Sequence, residues 1–338
     1  MAKRDIVVVG ASAGGVSALD RLVSALPEDF AASVLVVMHL KPDGRSHLVE
    51  ILQRNTRMPI IRPDDGDPIR PGHVYVAQAD HHLLLDDHTV RITRGPKENR
   101  NRPAIDALFR SAAYLHGERA IGVILSGVLD DGTAGLWSIK ERGGIAIVQS
   151  PDDAQYGGMP KSAILCVDVD HVCSIEAMAP LLVRLTTESI VRKPAPVSKE
   201  LEIEARIALE GRGLQLGVMQ LGPVVPYTCP ECHGVMVDVN QGGVPRFRCH
   251  TGHAYSINNL LAEVTAYAED SLWNGIRAIE ESMMLLDHMA RRAREAGDSD
   301  GLCAVLAQRS KEALKRTELV RQALLTSASS NKDTLGND

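Results

Sequence analysis

The run Val7-Val8-Val9-Gly10-Ala11-Ser12-Ala13-Gly14-Gly15 leads from a short apolar strand through small residues into a helix. Its core, Gly10-x-Ser12-x-Gly14, has the spacing of a nucleophile elbow, in which a sharp strand-to-helix turn lifts the serine hydroxyl above the sheet. The N–H groups that follow can then face a developing oxyanion. A phosphate-binding turn is the alternative, since glycine-rich strand–helix junctions also hold anions. The pattern G-x-G-x-x-G is not matched and no P-loop lysine follows, which favours the nucleophile.

Outward from this turn, the first ~190 residues alternate apolar strands with helical patterns, as in a parallel sheet covered on both faces. The predicted strands are Ile6 to Val9, Val34 to Met38, Val74 to Ala77, Val123 to Leu125 and Ile145 to Val148, with a hairpin from His82 to Leu85 and Val90 to Thr93. The predicted helices are Val16 to Ala25, Ser46 to Asn55, Ile105 to His116 and Ala134 to Arg142. The sequence therefore predicts an α/β domain with a doubly wound, mostly parallel sheet.

Two further residue types complete a candidate catalytic group at the carboxyl edge of this sheet. His39 ends the second strand, next to the strand that carries Ser12 if the order is the usual one. A lone histidine beside an apolar strand is more often structural, but its position beside a serine favours a general base. Asp130 and Asp131 follow the strand Val123 to Leu125, and one of them can accept the His39 Nδ1–H. The alternative is that an aspartate only caps the next helix.

Several stretches together resemble the catalytic domain of chemotaxis protein-glutamate methylesterases. They are Gly10 to Gly15, the strand-end His39, Asp67 to Ala77, Arg102-Pro103-Ala104-Ile105-Asp106, Leu125 to Gly135 and Gly158-Met159-Pro160. The resemblance spans residues 5 to 185 and implies a triad of Ser12, His39 and Asp131, the acid directly before the glycine. Chain order Ser, His, Asp differs from the Ser, Asp, His of α/β hydrolases.

This resemblance implies hydrolysis of glutamate γ-methyl esters on a chemoreceptor, with glutamine deamidation as a related reaction. A triad needs no cofactor for this chemistry. The alternative function is a catalytically inactive regulatory or binding module. Ala13 departs from the Thr of many members, and the usual N-terminal receiver domain is not expected, so control by phosphorylation in cis is not expected either.

A second constellation lies beyond the catalytic domain, predicted as residues 1 to 190, and a linker, 191 to 226. Cys229-Pro230-Glu231-Cys232 is followed, after 16 residues, by Cys249-His250-Thr251-Gly252-His253. Three thiolates and one imidazole at this spacing predict structural zinc in a ribbon, residues 227 to 255. His253 is the favoured fourth ligand, because His250 and His233 each adjoin a ligating cysteine. Arg246 and Arg248 leave nucleic-acid binding as a minor alternative.

Apolar residues three or four positions apart predict a helical hairpin over residues 256 to 326, followed by a disordered tail, 327 to 338. Its broad apolar stripe makes a homodimer or a docked regulator an open alternative to internal packing. The segment beyond residue 190 is expected to cover the cleft near Ser12, or else to present the enzyme to its receptor.

Composition limits the remaining possibilities. The chain has 338 residues, 44% of them hydrophobic and 24% charged, with a net charge of −6. Its apolar runs are strand-sized, so neither a signal peptide nor membrane insertion is expected. The acidic balance disfavours a nucleic-acid surface over the whole chain. Clustered cysteines in a reducing compartment favour metal over disulfides. We therefore expect a cytoplasmic enzyme whose partner is a methylated chemoreceptor or similar signalling protein.

Overall fold

The computed structural model describes residues 2–39, 46–190, 195–241, 244–297 and 301–334, and the side chains of 240, 241 and 326–334 lie outside that description. Contacts divide the chain into two compact units, Met1–Leu260 and Leu261–Asp338. The domain boundaries predicted at residues 190, 226 and 255 stay predictions.

Seven parallel strands form the sheet of the first unit, because short Val- and Ile-rich runs alternate with amphipathic helices. In chain order the elements of this part are β1 (Ile6–Ala11), α1 (Gly15–Ser24), β2 (Ser33–Met38), α2 (Leu48–Gln53), β3 (Ile60–Ile61), β4 (Val74–Val76), β5 (His82–Asp86), β6 (Thr89–Thr93), α3 (Ile105–His116), β7 (Ala120–Ile124), α4 (Thr133–Glu141), β8 (Ile145–Gln149), α5 (Gly158–Cys166), β9 (His171–Cys173) and α6 (Ile175–Thr187). The sheet order is β3-β4-β2-β1-β7-β8-β9, and β5 and β6 form a separate antiparallel hairpin. The predicted doubly wound, mostly parallel sheet is confirmed.

The core lies on both faces of this sheet, since successive β1 residues point to opposite sides. Val7 and Val9 pack with residues of α1, α2 and α6. Ile6 and Val8 pack with residues of α3, α4 and α5. With both faces buried, functional side chains are left to the loops at the carboxyl ends of the strands.

Within the segment predicted as a linker, a helix α7 (Lys199–Glu210) begins at Ser198, whose side chain accepts a hydrogen bond from the Leu201 N–H. Its residue Ala208 packs with Leu84 and Ala107 of the catalytic part. The segment predicted as a linker that wraps onto something thus contains a helix packed on the catalytic part, and glutamates interleaved with its buried residues hid that helix in the sequence. Its bounds as a linker stay a prediction. Residues 191–194 lie outside the described residues.

Four antiparallel strands follow α7, and we call them the small sheet. They are β10 (Val224–Thr228), β11 (Val235–Gln241), β12 (Val244–Cys249) and β13 (Ala254–Ser256), paired in that order. β11 pairs with β12 from Met236 opposite Cys249 to Gln241 opposite Val244. Cys249 ends β12 at the open end of this pairing, and Cys229 and Cys232 lie in the turn between β10 and β11.

The chain ends in two long helices, α8 (Ile257–Glu295) and α9 (Leu302–Thr334). The Ser256 hydroxyl accepts a hydrogen bond from the Asn259 N–H at 3.1 Å, as a helix-capping serine does. α9 runs into the stretch predicted as a disordered tail, of which residues 335–338 lie outside the described residues. None of the helices in the described part of the chain is both long and apolar enough to cross a bilayer.

Candidate active site and metal cluster

Ser12 lies directly after β1, in the turn that leads into α1. Gly14 adopts the left-handed conformation with φ 73°, and an added Cβ would lie 2.7 Å from the Ser126 hydroxyl oxygen. Glycine is therefore required for this sharp turn. The Ser12 N–H donates to the Ser126 carbonyl at 3.0 Å, which ties the turn to the end of β7. Ser12 is half-buried at the carboxyl edge of the sheet.

His39 continues β2 beside this turn and lies between Ser12 and Asp131. Its N–H donates to the Ala11 carbonyl at 3.2 Å, which extends the pairing of β1 with β2. Its Nδ1 is 3.0 Å from Ser12 Oγ, and its Nε2 is 2.7 Å from Asp131 Oδ2. The structure thus brings together the three residues singled out from the sequence in one hydrogen-bonded chain.

The imidazole presents the opposite nitrogen to the acid from the one expected: Nε2, and not Nδ1, faces Asp131. Strand order explains the difference, because Ser12 ends the strand next to His39 whereas Asp131 follows β7, one strand further away. The nitrogen nearer the backbone reaches the nearer strand, and the distal nitrogen reaches the more distant loop. Because the Asp131 carboxylate accepts hydrogen bonds, we assign the imidazole proton to Nε2, which leaves Nδ1 free to accept the proton of Ser12.

Asp131 is buried at the start of α3, with 2% of its surface exposed. Its Oδ2 accepts the Ile105 N–H at 2.8 Å, and its Oδ1 accepts the Asp106 N–H at 3.3 Å and the Asn99 amide at 2.9 Å. Burial acts to raise the pKa of this carboxyl, but the hydrogen bond and charge of His39, then Asn99 and Ile105, hold it below its ordinary value. A helix N-terminus and convergent donors favour the anion here.

α3 approaches β1 closely at this point. A Cβ added to Gly10 would lie 2.3 Å from the Ile105 side chain. Gly10 therefore contributes to the environment of Asp131 as well as to the turn at Ser12. It leaves room for the N-terminus of α3 to reach the carboxyl edge of the sheet.

Asn99 and Asp106 are site residues to which the sequence assigned no role. The Asn99 amide Nδ2 donates to Asp131 and, at 3.0 Å, to Asp106, whose other oxygen accepts the Gly135 N–H at 2.6 Å. Burial, followed by the charge of Asp131, raises the pKa of Asp106 to about 7. The pattern Arg102 to Asp106 pointed to this region, but no spacing in the sequence distinguishes Asn99 from the neighbouring polar residues.

The N–H groups of Ala13 and Gly14 have no hydrogen-bond partner among the described residues. They stand at the N-terminal end of α1, immediately after Ser12. Two free N–H groups beside a serine hydroxyl are the donors that an oxyanion hole requires.

Cys229, Cys232, Cys249 and His253 form a metal-compatible cluster, with all four ligand atoms within 4.8 Å of one another. The Cys232 and Cys249 sulfurs are 3.7 Å apart, and His253 Nδ1 is 3.7 Å from Cys229 Sγ and 3.6 Å from Cys249 Sγ. A tetrahedral zinc site with the usual bond lengths has edges of about 3.8 Å between sulfurs and about 3.6 Å between sulfur and nitrogen. These three distances fit such a site, and the four residues form a cluster that could bind a metal ion.

His250 takes no part in this cluster, because its imidazole lies over Gly234, where an added Cβ would be 2.3 Å from the ring. His253 reaches the cluster from the turn that precedes β13. The small sheet thus places one ligand directly before Ala254.

Arg246 and Arg248 are buried, so the sequence-based alternative of a nucleic-acid contact through them was wrong. Arg246 binds Glu204 with both terminal nitrogens, at 2.9 and 2.7 Å. Arg248 binds Glu204 at 3.0 Å and Glu98 at 2.9 Å, and Glu98 also pairs with the buried Arg110. This charged cluster joins α3, α7 and β12. Opposite charges at this depth must be paired, which explains why α7 carries a buried glutamate.

Residues 7–182 match the family model described as CheB methylesterase. A relative from Leptospira interrogans is 36% identical over 190 residues, which cover 56% of this chain and 98% of that protein. The protein-glutamate methylesterase/protein-glutamine glutaminase of Photorhabdus laumondii is 34% identical over 57% of this chain and 56% of its own length.

A solved structure is also similar, the crystal structure of the Thermotoga maritima CheB methylesterase catalytic domain. It matches with a TM-score of 0.53 and 32% sequence identity, over 55% of this chain and 100% of that one. The family model covers just over half of the 338 residues, and the chain belongs to the CheB methylesterase family.

Proposed function

We propose that this chain is a protein-glutamate methylesterase, a serine hydrolase that removes methyl esters from the glutamates of a chemoreceptor. The observation that carries the proposal is the hydrogen-bonded chain from Ser12 through His39 to the buried Asp131. The named relative from Photorhabdus laumondii supports both ester hydrolysis and glutamine deamidation as the reactions of this site.

Ser12 is the nucleophile in this proposal and His39 its base. His39 Nδ1 takes the proton of the Ser12 hydroxyl as Oγ attacks the ester carbonyl, and a tetrahedral oxyanion forms. The free N–H groups of Ala13 and Gly14 bind that oxyanion. The intermediate collapses, methanol leaves with the proton from His39, and an acyl-enzyme remains. Water, deprotonated by His39, then releases the glutamate and restores the serine.

Asp131 acts by holding the imidazole. It accepts the proton on Nε2, which fixes the tautomer that leaves Nδ1 free, and its charge stabilises the imidazolium. The low pKa of its carboxyl keeps this charge in place across the neutral range. Deamidation follows the same route with ammonia as the leaving group.

A methanol-release assay with Ser12→Ala tests this proposal. We expect kcat to fall by about 10⁶-fold, as when the nucleophile of a serine hydrolase is removed. Ser17→Ala is the matched control, because Ser17 is exposed on α1. Full residual turnover in Ser12→Ala would remove Ser12 from the reaction. A wild-type protein that releases no methanol from methylated receptor would favour the regulatory module instead.

The cysteine cluster, we propose, binds one structural zinc ion through Cys229, Cys232, Cys249 and His253 Nδ1. Four protein ligands fill a tetrahedral zinc site, so no position is left for substrate. The zinc would hold the turn between β10 and β11 against the end of β12 and the turn that precedes β13.

The proposed partner is a methylated chemoreceptor or a similar signalling protein, and the proposed compartment is the cytoplasm, where cysteines stay reduced for metal binding. Exposed apolar side chains on α8 and α9, among them Trp273, Met284 and Leu319, support a homodimer. Sedimentation of the purified chain tests the dimer, which a single monomeric species over the micromolar range excludes.

A further inference from the structure

The small sheet is bonded to the loop that carries Asn99. The Asn99 N–H donates to the Ala254 carbonyl at 2.8 Å, and the Ala254 N–H donates to the Lys97 carbonyl at 3.3 Å. Glu98 pairs with Ala254 as a parallel bridge. The loop before α3 therefore lies along β13 as an additional rung of the small sheet.

This pairing also fixes the Asn99 side chain. Its Oδ1 accepts the Ser256 N–H at 2.8 Å. An amide that accepts through its oxygen must turn its two N–H groups the other way, and here they face Asp131 and Asp106. The hydrogen bond from β13 thus orients the Asn99 amide so that its nitrogen, and not its oxygen, faces the two carboxyl groups.

A second connection reaches the acid through its neighbour, Asp130. The Ser256 hydroxyl donates to Asp130 at 2.6 Å, and the Asn259 amide donates to it at 2.5 Å. Asn258 adds a third hydrogen bond at 3.0 Å. The residue directly before Asp131 is therefore held by the end of β13 and the first turn of α8.

The metal cluster lies one residue from these contacts. His253 directly precedes Ala254, and the Cys249 N–H donates to the His253 carbonyl at 2.9 Å. A metal bound by Cys249 and His253 would fix the start of β13. No large movement is required for this link, because each step is a direct bond or a neighbouring residue.

We propose that the small sheet is a positioning element of the active site: β13 and the start of α8 hold Asn99 and Asp130, and these hold Asp131 against His39. The proposal rests on the function proposed above. It assigns Asn99, Ser256 and Asn259 as positioning residues and makes hydrolysis sensitive to the metal, although the metal touches no reacting atom. Positioning of the triad is a role distinct from the expected covering of the cleft near Ser12, which stays a prediction.

The test uses the full chain in two variants that break the two connections separately, Asn99→Leu and Ser256→Ala/Asn259→Leu. We expect kcat to fall roughly 10–100-fold in each variant, with KM within about twofold. This is the size of effect seen when a group that orients a metal-binding side chain is removed. Asn55→Leu is the matched control, because Asn55 is bonded to Asp20 on the surface. Ser256→Thr keeps the hydroxyl and should retain the wild-type rate.

A spectroscopic readout separates positioning from general damage to the fold. The proton between His39 Nε2 and Asp131 is expected to give a low-field NMR resonance, assigned by its absence in His39→Ala. Both positioning variants should lose or shift this signal while remaining folded by circular dichroism. Unchanged kcat and an unchanged resonance in both folded variants would overturn the proposal. If the wild-type protein hydrolyses no ester, the proposed function fails and the resonance alone decides this one.

The metal link has its own test in Cys232→Ser, alone and combined with Ser256→Ala/Asn259→Leu. If the metal acts through these contacts, the combined variant loses less kcat than the product of the two separate fold-losses, since the same connection is broken twice. Independent effects would multiply, and a product of the separate losses would overturn the metal link.

Discussion

At the scale of single residues, Asp106 gives the fold a pH dependence. Its carboxyl titrates near 3.8 when unfolded, whereas burial and Asp131 raise its pKa in the fold to about 7. The stability that this group contributes is fully present below pH ~4 and is lost as the pH rises through 7. We expect the free energy of unfolding to fall from this cause by on the order of 1 kcal/mol per pH unit between pH 5 and 7.

The measurement is urea unfolding at several pH values for the wild type and Asp106→Asn. The variant lacks the titrating group, so its stability should vary less with pH over this range, whatever its absolute value. Parallel curves would mean that Asp106 is already ionised at pH 5.

The sequence predicted which three residues form the triad of this site, but not which of their atoms contact one another. The elbow around Ser12 and the strand-end position of His39 place these groups at one edge, because parallel strands share their carboxyl ends. Which imidazole nitrogen faces Asp131 depends on strand order, which no local pattern encodes. Asn99 was missed since its role comes from a bond to Ser256, 157 positions away in the chain.

At the scale of secondary-structure elements, α7 is held in place by a buried ion pair. Its glutamate would be costly to bury without the arginines that neutralise it. Glu204 is fully buried and pairs with Arg246 and Arg248. The arginines, led by Arg246, lower its pKa against the effect of burial, so it remains ionised. We expect Glu204→Gln to lower the free energy of unfolding by about 3–5 kcal/mol, because buried arginines then lose their counter-charge.

Glu202→Gln on the same helix is the control for this variant, with a side chain 47% exposed. A solvated charge of this kind contributes less than about 1 kcal/mol, so its unfolding curve should match the wild type. Equal curves for the two variants would show that the charged cluster adds no stability.

Elements with strong periodicity were predictable and short ones were not. α3 was predicted with the bounds that the structure has, Ile105–His116, whereas β3 and β9 have two and three residues, too few to show a pattern. α7 was taken for linker because its glutamates obscure an apolar face. One of them is buried only because arginines 42 and 44 positions away neutralise it.

At the scale of the whole molecule, we expect one zinc ion per chain. Its loss should lower the thermal midpoint of the unit Met1–Leu260, since the small sheet shares hydrogen bonds and buried ion pairs with the catalytic part. Atomic absorption and calorimetry of Cys249→Ser measure both effects. Cys166→Ser is the control, because Cys166 is an exposed free cysteine outside the cluster. One equivalent of zinc retained in Cys249→Ser would exclude Cys249 from the site.

The hydrogen bond between Asn99 and Ala254 also limits which segments of this protein can be exchanged with those of a relative. A chimera that takes only residues 224–256 from a relative would pair a foreign β13 with this protein's own loop of residues 97–99, whose side chains fit the original β13. The unit of exchange is instead a set of three segments distant in the chain, residues 97–106, 199–210 and 224–259. Among relatives that keep the small sheet, we expect the residues at the positions of Asn99, Asp130 and Ser256 to vary together. The cysteine ligands can stay the same while the residues along β13 vary.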